Sequence, residues 1–209
     1  MSDKLLKQIA EMPLIAILRG IMPDDAAAVS DALVDNGFTF VEVTLNSPGW
    51  EKSLKIIHER HGKNIVLGAG TVLTLDEVNK VQAAGGKVII SPNMRVDVIR
   101  RTKELNMLSV PGCYSPTECF AALDAGADIL KIFPADTLGP SFIKAVSAVL
   151  PEGTRICPTG GITEDNMKHF MAAGVYAMGI GSALYKPGKS AATIAKAAAG
   201  LVSAYKKLR

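Results

Sequence analysis

Asp124-Ala125-Gly126-Ala127-Asp128-Ile129-Leu130-Lys131-Ile132-Phe133-Pro134 is the stretch from which the fold is read. Its first four residues close a helix at a glycine, the residue type that most readily takes the left-handed conformation a helix stop requires. Asp128–Phe133 then reads as a strand. Alternation places Ile129, Lys131 and Phe133 on one face and Leu130 and Ile132 on the other. The same helix–Gly–strand phrase returns in Asp35-Asn36-Gly37-Phe38, Ala83-Ala84-Gly85-Gly86 and Ala172-Ala173-Gly174-Val175.

Working outward, β-rich runs fall at Leu14–Leu18, Phe40–Leu45, Ile65–Ala69, Lys87–Ile90, Met107–Val110, Asp128–Phe133, Arg155–Pro158 and Val175–Gly179. Amphipathic stretches lie between them, near 23–35, 48–60, 75–84, 95–105, 115–125, 140–149 and 163–173, with a last one near 189–207. Ser115-Pro116-Thr117-Glu118 and Thr163-Glu164-Asp165 read as helix starts. Strands alternating with helices from end to end predict an α/β chain folded as one (β/α)8 TIM barrel over residues 1–209, with a short N-terminal helix. A doubly wound open sheet is the competing arrangement.

The 23 basic and 20 acidic residues give a formal charge of +3, too balanced for a nucleic-acid partner. No run approaches the ~18 uncharged apolar residues that a membrane helix needs. Met1–Lys7 lacks the apolar segment of a secretory signal. Cys113, Cys119 and Cys157 are odd in number and form no C-x-x-C pair. A reduced, cytoplasmic setting is the expectation.

In such barrels the active site sits at the C-terminal strand ends. Those ends carry Arg19-Gly20, Glu42 to Asn46, Gly70-Thr71, Ser91-Pro92-Asn93, Pro111-Gly112-Cys113, Lys131 to Pro134, Thr159-Gly160-Gly161 and Gly179-Ile180-Gly181-Ser182. Two readings of Lys131 stand open. Either its stem packs while its ammonium snorkels to water, or the amine is desolvated and nucleophilic. Glu42, with Phe40 and Thr44 on its side of the strand, is either an ion-pair partner for Lys131 or Arg19, or a proton-transfer group beside an amine. The glycine turns at 160–161 and 179–181 follow the seventh and eighth strands, where these barrels commonly bind phosphate. Neither matches a dinucleotide fingerprint. His58 and His61 share a helix end and His169 stands alone, so no metal site and no Ser-His-Asp triad is expected. Trp50, the one tryptophan, reads as packing at a helix start.

Taken together, Glu42-Val43-Thr44-Leu45, Gly68-Ala69-Gly70-Thr71-Val72, Ser91-Pro92-Asn93, Val110-Pro111-Gly112, Leu130 to Pro134, Gly139-Pro140 and Pro158-Thr159-Gly160-Gly161 resemble the class I 2-keto-3-deoxy-6-phosphogluconate (KDPG) and 2-keto-3-deoxy-6-phosphogalactonate (KDPGal) aldolases. The resemblance runs from about Leu14 to Leu184. It implies a homotrimeric barrel that needs no cofactor and cleaves a phosphorylated keto-deoxy sugar acid to pyruvate and D-glyceraldehyde 3-phosphate. It implies Lys131 as the imine-forming residue and Glu42 as the proton shuttle. Thr71, Pro92 and Phe133 would shape the pyruvate end, and Arg19 would serve the carboxylate or the phosphate. Gly160, Gly161, Gly181 and Ser182 would hold the phosphate. Asn46, where KDPG enzymes often carry arginine, resembles the galactonate type, whereas Thr159 resembles the gluconate type. KDPGal is the expected substrate, with KDPG the alternative. A barrel epimerase or isomerase, and a non-catalytic sugar-phosphate binder, are the competing functions.

Overall fold

A computed structural model describes residues 2–209, in which strands and helices alternate throughout. The elements are α1 (Ser2–Glu11), β1 (Leu14–Leu18), α2 (Pro23–Asp35), β2 (Phe40–Thr44), α3 (Trp50–His61), β3 (Val66–Gly70), α4 (Leu75–Ala83), β4 (Val88–Ile90), α5 (Val96–Glu104), β5 (Leu108–Val110), β6 (Gly112–Cys113), α6 (Pro116–Asp124), β7 (Leu130–Ile132), α7 (Ala135–Ser147), β8 (Ile156–Pro158), α8 (Met167–Met171), β9 (Met178–Ile180) and α9 (Ala191–Leu208). All strand pairs are parallel. They form a six-stranded sheet in the order β5-β4-β3-β2-β1-β9 and a three-stranded sheet, β6-β7-β8. The first strand therefore pairs with the last.

The expected parallel α/β architecture is present, with its hydrogen-bonded ladders divided in two. Pro111, which has no N–H to donate, separates β5 from β6. The sheets nevertheless meet at both margins. On one side Asp128 N–H donates to Ser109 O at 3.0 Å and Lys131 N–H to Pro111 O at 2.9 Å. On the other, Thr159 and Gly179 make an isolated parallel bridge.

Alternation sorts the strand side chains into two apolar layers. Leu14, Ala16, Leu18, Val41, Val43, Leu67, Ala69, Leu130, Ile132, Ile156 and Ile180 pack outward under the helices. Ile15, Ile17, Phe40, Val66, Val88, Ile90, Leu108, Val110, Ile129 and Cys157 pack inward on one another. Strands buried on both faces are what parallel sheets covered by helices require. Leu5, Leu6 and Ile9 of α1 join the inner layer, and the Tyr176 hydroxyl donates to Leu6 O, so the N-terminal helix stops the N-terminal ends of the strands.

Several bounds depart from the sequence reading for local reasons. The strand expected over 128–133 shortens to β7 because the Asp128 carboxylate turns aside to accept from Ser109 N–H and from Lys103 Nζ. The helix expected at 140–149 begins earlier, as α7, and kinks at Gly139 (φ 72°) before Pro140. The helix expected at 163–173 is only α8, because Thr163 N–H donates to Asn166 Oδ1 in a turn that delays the start. Capping boxes at Thr74/Glu77 and Ser115/Glu118 set the starts of α4 and α6. Gly37, Gly85, Gly126 and Gly174, the four phrase glycines, all have φ between 80° and 99°.

Candidate active site

Lys131 and Glu42 both project into the inner layer. Each is almost fully enclosed, at 6% and 3% exposure. Parallel register explains how they fit. The partners of Lys131 are Gly112 on β6 and Cys157 on β8, and the partners of Glu42 are Ile17 on β1 and Gly68 on β3. Lys131 thus lies between two small neighbours, and Glu42 has glycine on one side and Ile17 on the other. Gly70 completes the space, since a Cβ there would lie 1.6 Å from Glu42 Oε1.

Among the described residues, Glu42 makes no ion pair with Lys131 or Arg19. The structural ion-pair reading of Glu42 is therefore set aside. Burial pushes its carboxyl above the ordinary value of 4.5, while the Lys131 and Arg19 cations pull it back. The buried polar atoms without a partner are Thr39 Oγ1 and Ser53 Oγ, so the tips of Lys131 and Glu42 are not sealed in. Lys131 itself packs against the aromatic ring beside it. Its Nζ lies 5.0 Å from the centroid of the Phe133 ring, and the residue is buried. Cys157, beside Lys131, is a thiol that burial pushes up to about 12, so it is neutral near pH 7.

Above this pair opens a cavity of ≈ 300 Å³. Arg19, Phe133, Thr159, Gly160, Gly161, Gly181 and Ser182 line it, together with Ile17, Ile162, Tyr185, Lys186 and Pro187. Gly160 and Gly161 have φ of 104° and 70°, where a side chain would be strained, and a Cβ on Gly161 would meet Asp136 at 2.6 Å. Thr159 N–H donates to Ile132 O, and its own carbonyl accepts from Ala135 N–H at 2.8 Å, which fixes this turn to the end of β7.

Five expected residues stand outside the cavity lining: Lys131 and Glu42, already placed, and Thr71, Pro92 and Asn46. Thr71 takes the left-handed conformation at φ 60°, which for a non-glycine residue costs about 1–3 kcal/mol. Two bonds hold the next residue in place: Val72 N–H donates to Ile90 O, and Ser91 Oγ–H donates to Val72 O at 2.7 Å. Pro92 is half-buried on the neighbouring strand end, its carbonyl against Gly112. Asn46 is exposed on the β2–α3 connection. Its neighbour Ser47 accepts from Gly20 N–H at 2.8 Å, so the Asn46 loop is tied to the Arg19 strand end.

These features coincide with a known family. Residues 5–196 match the KDPG and KHG aldolases. The chain belongs to that family. The 2-dehydro-3-deoxy-6-phosphogalactonate aldolase of Escherichia coli (strain K12) is 45% identical over 94% of this chain and 96% of its own length. A solved native KDPGal structure superposes with a TM-score of 0.93 at 44% identity, covering 95% of this chain and 96% of that one. The 2-dehydro-3-deoxy-phosphogluconate aldolase of Zymomonas mobilis is more distant, at 32% identity over 81% of this chain and 79% of its own. The relatives are aldolases, and this chain is one.

Sequence reasoning passed over four residues that this aldolase places at the site. Ser47 and Cys157 sit within motifs whose other members drew attention. Tyr185 and Lys186 lie just past the glycine turn after β9, in a segment without strand or helix periodicity to place it. The histidines stay apart: His61 binds Asp31 at 2.8 Å, the His58 ring packs over Gly85, and His169 is exposed on α8. Gly70→Ala tests the room left for Glu42. Displacing that carboxylate by even an ångström should lower aldol cleavage by about 10²-fold, with the far-UV circular dichroism retained. Undiminished turnover would show that Gly70 does not shape the site.

Proposed function

We propose that this chain is a class I aldolase that cleaves 2-dehydro-3-deoxy-6-phosphogalactonate to pyruvate and D-glyceraldehyde 3-phosphate through an imine on Lys131. The observation that carries this reading is the pair itself, a buried amine and a buried carboxyl with no ion pair between them. A retired scaffold has no physical use for two such groups, whose burial costs several kcal/mol each unless compensated.

In this reading Lys131 Nζ attacks the C2 carbonyl, and the carbinolamine loses water to a protonated imine. Glu42 takes a proton from the amine and returns it to the departing hydroxyl. It then takes the C4 hydroxyl proton as the C3–C4 bond breaks. The bond's electrons pass to the imine nitrogen as an enamine, and glyceraldehyde 3-phosphate leaves. Protonation at C3 and hydrolysis release pyruvate and the free amine. Phe133 and Pro92 wall the pyruvate end, where Thr71 and Arg19 take the carboxylate. Asn46 and Thr159 serve the C4 side. The phosphate sits on the N–H groups around Gly160, Gly161 and Gly181 and on the Ser182 hydroxyl.

The galactonate-type relatives, more similar than the gluconate-type one, support the substrate choice. The competing KDPG reading draws on Thr159, a buried hydroxyl in the cavity lining. The two sheets, joined at β5–β7 and β8–β9, are read as one closed eight-membered ring with β5 and β6 a single strand broken at Pro111. The chain then works as one domain, in the cytoplasm, as a homotrimer. Sedimentation should give three times the 22.0 kDa chain mass, and a monomeric mass would remove that assignment.

Borohydride added with pyruvate should leave a reduced pyruvyl adduct at Lys131, absent in Lys131→Met. If no adduct forms where a control aldolase is trapped, the imine mechanism is wrong. A turnover of sugar phosphate without pyruvate release would instead indicate an epimerase or isomerase. Comparing KDPGal with KDPG by pyruvate released should favour KDPGal, and equal rates would remove the substrate preference.

The acid limb of the rate has a definite sign. Glu42 must be ionised to accept a proton, and its carboxyl titrates above 4.5. Cleavage should therefore fall as pH drops, with its midpoint above that ordinary value. Glu42→Gln should abolish this limb and reduce kcat by about 10²–10⁴-fold. A limb that persists unchanged in the variant would belong to another group.

A further inference from the structure

We propose that Lys186 is the cation that reads the substrate's phosphate. The inference rests on the proposed phosphorylated substrate and adds a residue to it. Two cations line the ≈ 300 Å³ cavity, Arg19 and Lys186. They are not equivalent. Arg19 bears electrostatically on Glu42, as Lys131 does, and Lys186 does not appear among the charges acting on that carboxyl. Arg19, exposed at the end of β1, thus has its charge engaged with the catalytic carboxyl. Lys186 lines the cavity together with Gly160, Gly161 and Ser182.

The backbone at Lys186 is built to hold its position. Tyr185, itself buried, donates its N–H to Gly181 O at 3.0 Å, anchoring one side to the glycine turn after β9. On the other side Lys186 O accepts from Lys189 N–H at 3.3 Å, across Pro187 and Gly188 with φ 81° at the glycine. Proline followed by a left-handed glycine is the pattern of a type II turn. Pro187 also abuts Gly20, where an added Cβ would lie 2.8 Å from the ring. The main chain is bracketed, and the side chain is left available: among the described residues Lys186 forms no ion pair.

A local charge gives the cation a reason to be there. The Asp136 carboxyl lies close to Gly161, within 3.2 Å of where a Cβ would be. A dianion on the glycine turn meets that negative charge, and backbone N–H groups alone carry only partial positive charge. A lysine ammonium lining the same cavity offsets it and adds a charge-assisted hydrogen bond.

The test is the preference for phosphate. It compares kcat/KM on the 6-phosphorylated acid with kcat/KM on the same keto-deoxy acid without phosphate, in the wild-type chain, Lys186→Gln and Lys186→Arg. Lys186→Gln should reduce the ratio about ten-fold, the loss falling on KM for the phosphorylated acid, and Lys186→Arg should restore most of it. An unchanged ratio in Lys186→Gln would overturn the assignment. So would an arginine variant as impaired as the glutamine one, because the charge would then not be the property that matters. A wild-type chain indifferent to phosphate would overturn the underlying substrate reading as well, whereas pyruvate trapping at Lys131 would report on the amine independently of either result.

Discussion

The structure is organised around the cost of keeping an amine and a carboxyl inside an apolar layer. Neither Lys131 nor Glu42 is relieved by a direct ion pair, and each has a glycine as a register partner on an adjoining strand. Burying an uncompensated charge is among the more expensive things a fold can do. The surrounding residues show how the expense is contained. Gly70 leaves the room that the Glu42 carboxylate occupies, and Cys157 supplies Lys131 with a small neutral neighbour. Arg19 lends a positive field to Glu42 from the rim without closing onto it.

The rim is built by a second, economical device. Buried hydroxyls at successive strand ends reach sideways to the neighbouring loop: Ser47 joins the ends of β1 and β2, and Ser91 joins those of β3 and β4. Each replaces a ladder hydrogen bond where the strands splay apart. They hold Arg19, Asn46 and Thr71 on backbones with little freedom to drift, and they allow Thr71 to keep a conformation that an unrestrained threonine would leave.

Much of this was legible in the residues. Period-two alternation correctly put Lys131 with Ile129 and Leu130 with Ile132, because a strand has only two faces to offer. The helix–Gly–strand phrase located helix ends because few residues other than glycine tolerate the required φ. The glycine turns after β8 and β9 were recognisable from their place in the order of elements. What stayed hidden depended on contacts remote in sequence. Nothing local to Asp128 shows that its carboxylate will cap Ser109, and so shorten β7. The turn that brings Lys186 to the cavity follows no periodic element. Whether Glu42 pairs or stands apart depended on the spacing between strands, which no single-strand pattern encodes.

The pairing of β1 with β9 and the contact of Gly20 with Pro187 have a consequence for how the protein is made. The first strand to leave the ribosome finds one of its two neighbours only when the last strand emerges, more than 160 residues later (Leu14 against Met178). Until then its outer edge is an unfilled row of hydrogen-bonding groups, and the far end of the cavity is missing. An incomplete nascent chain lacks Gly181, Ser182, Tyr185, Lys186 and Pro187 of the cavity lining. The order of synthesis thus withholds a working site until nearly the whole chain is present.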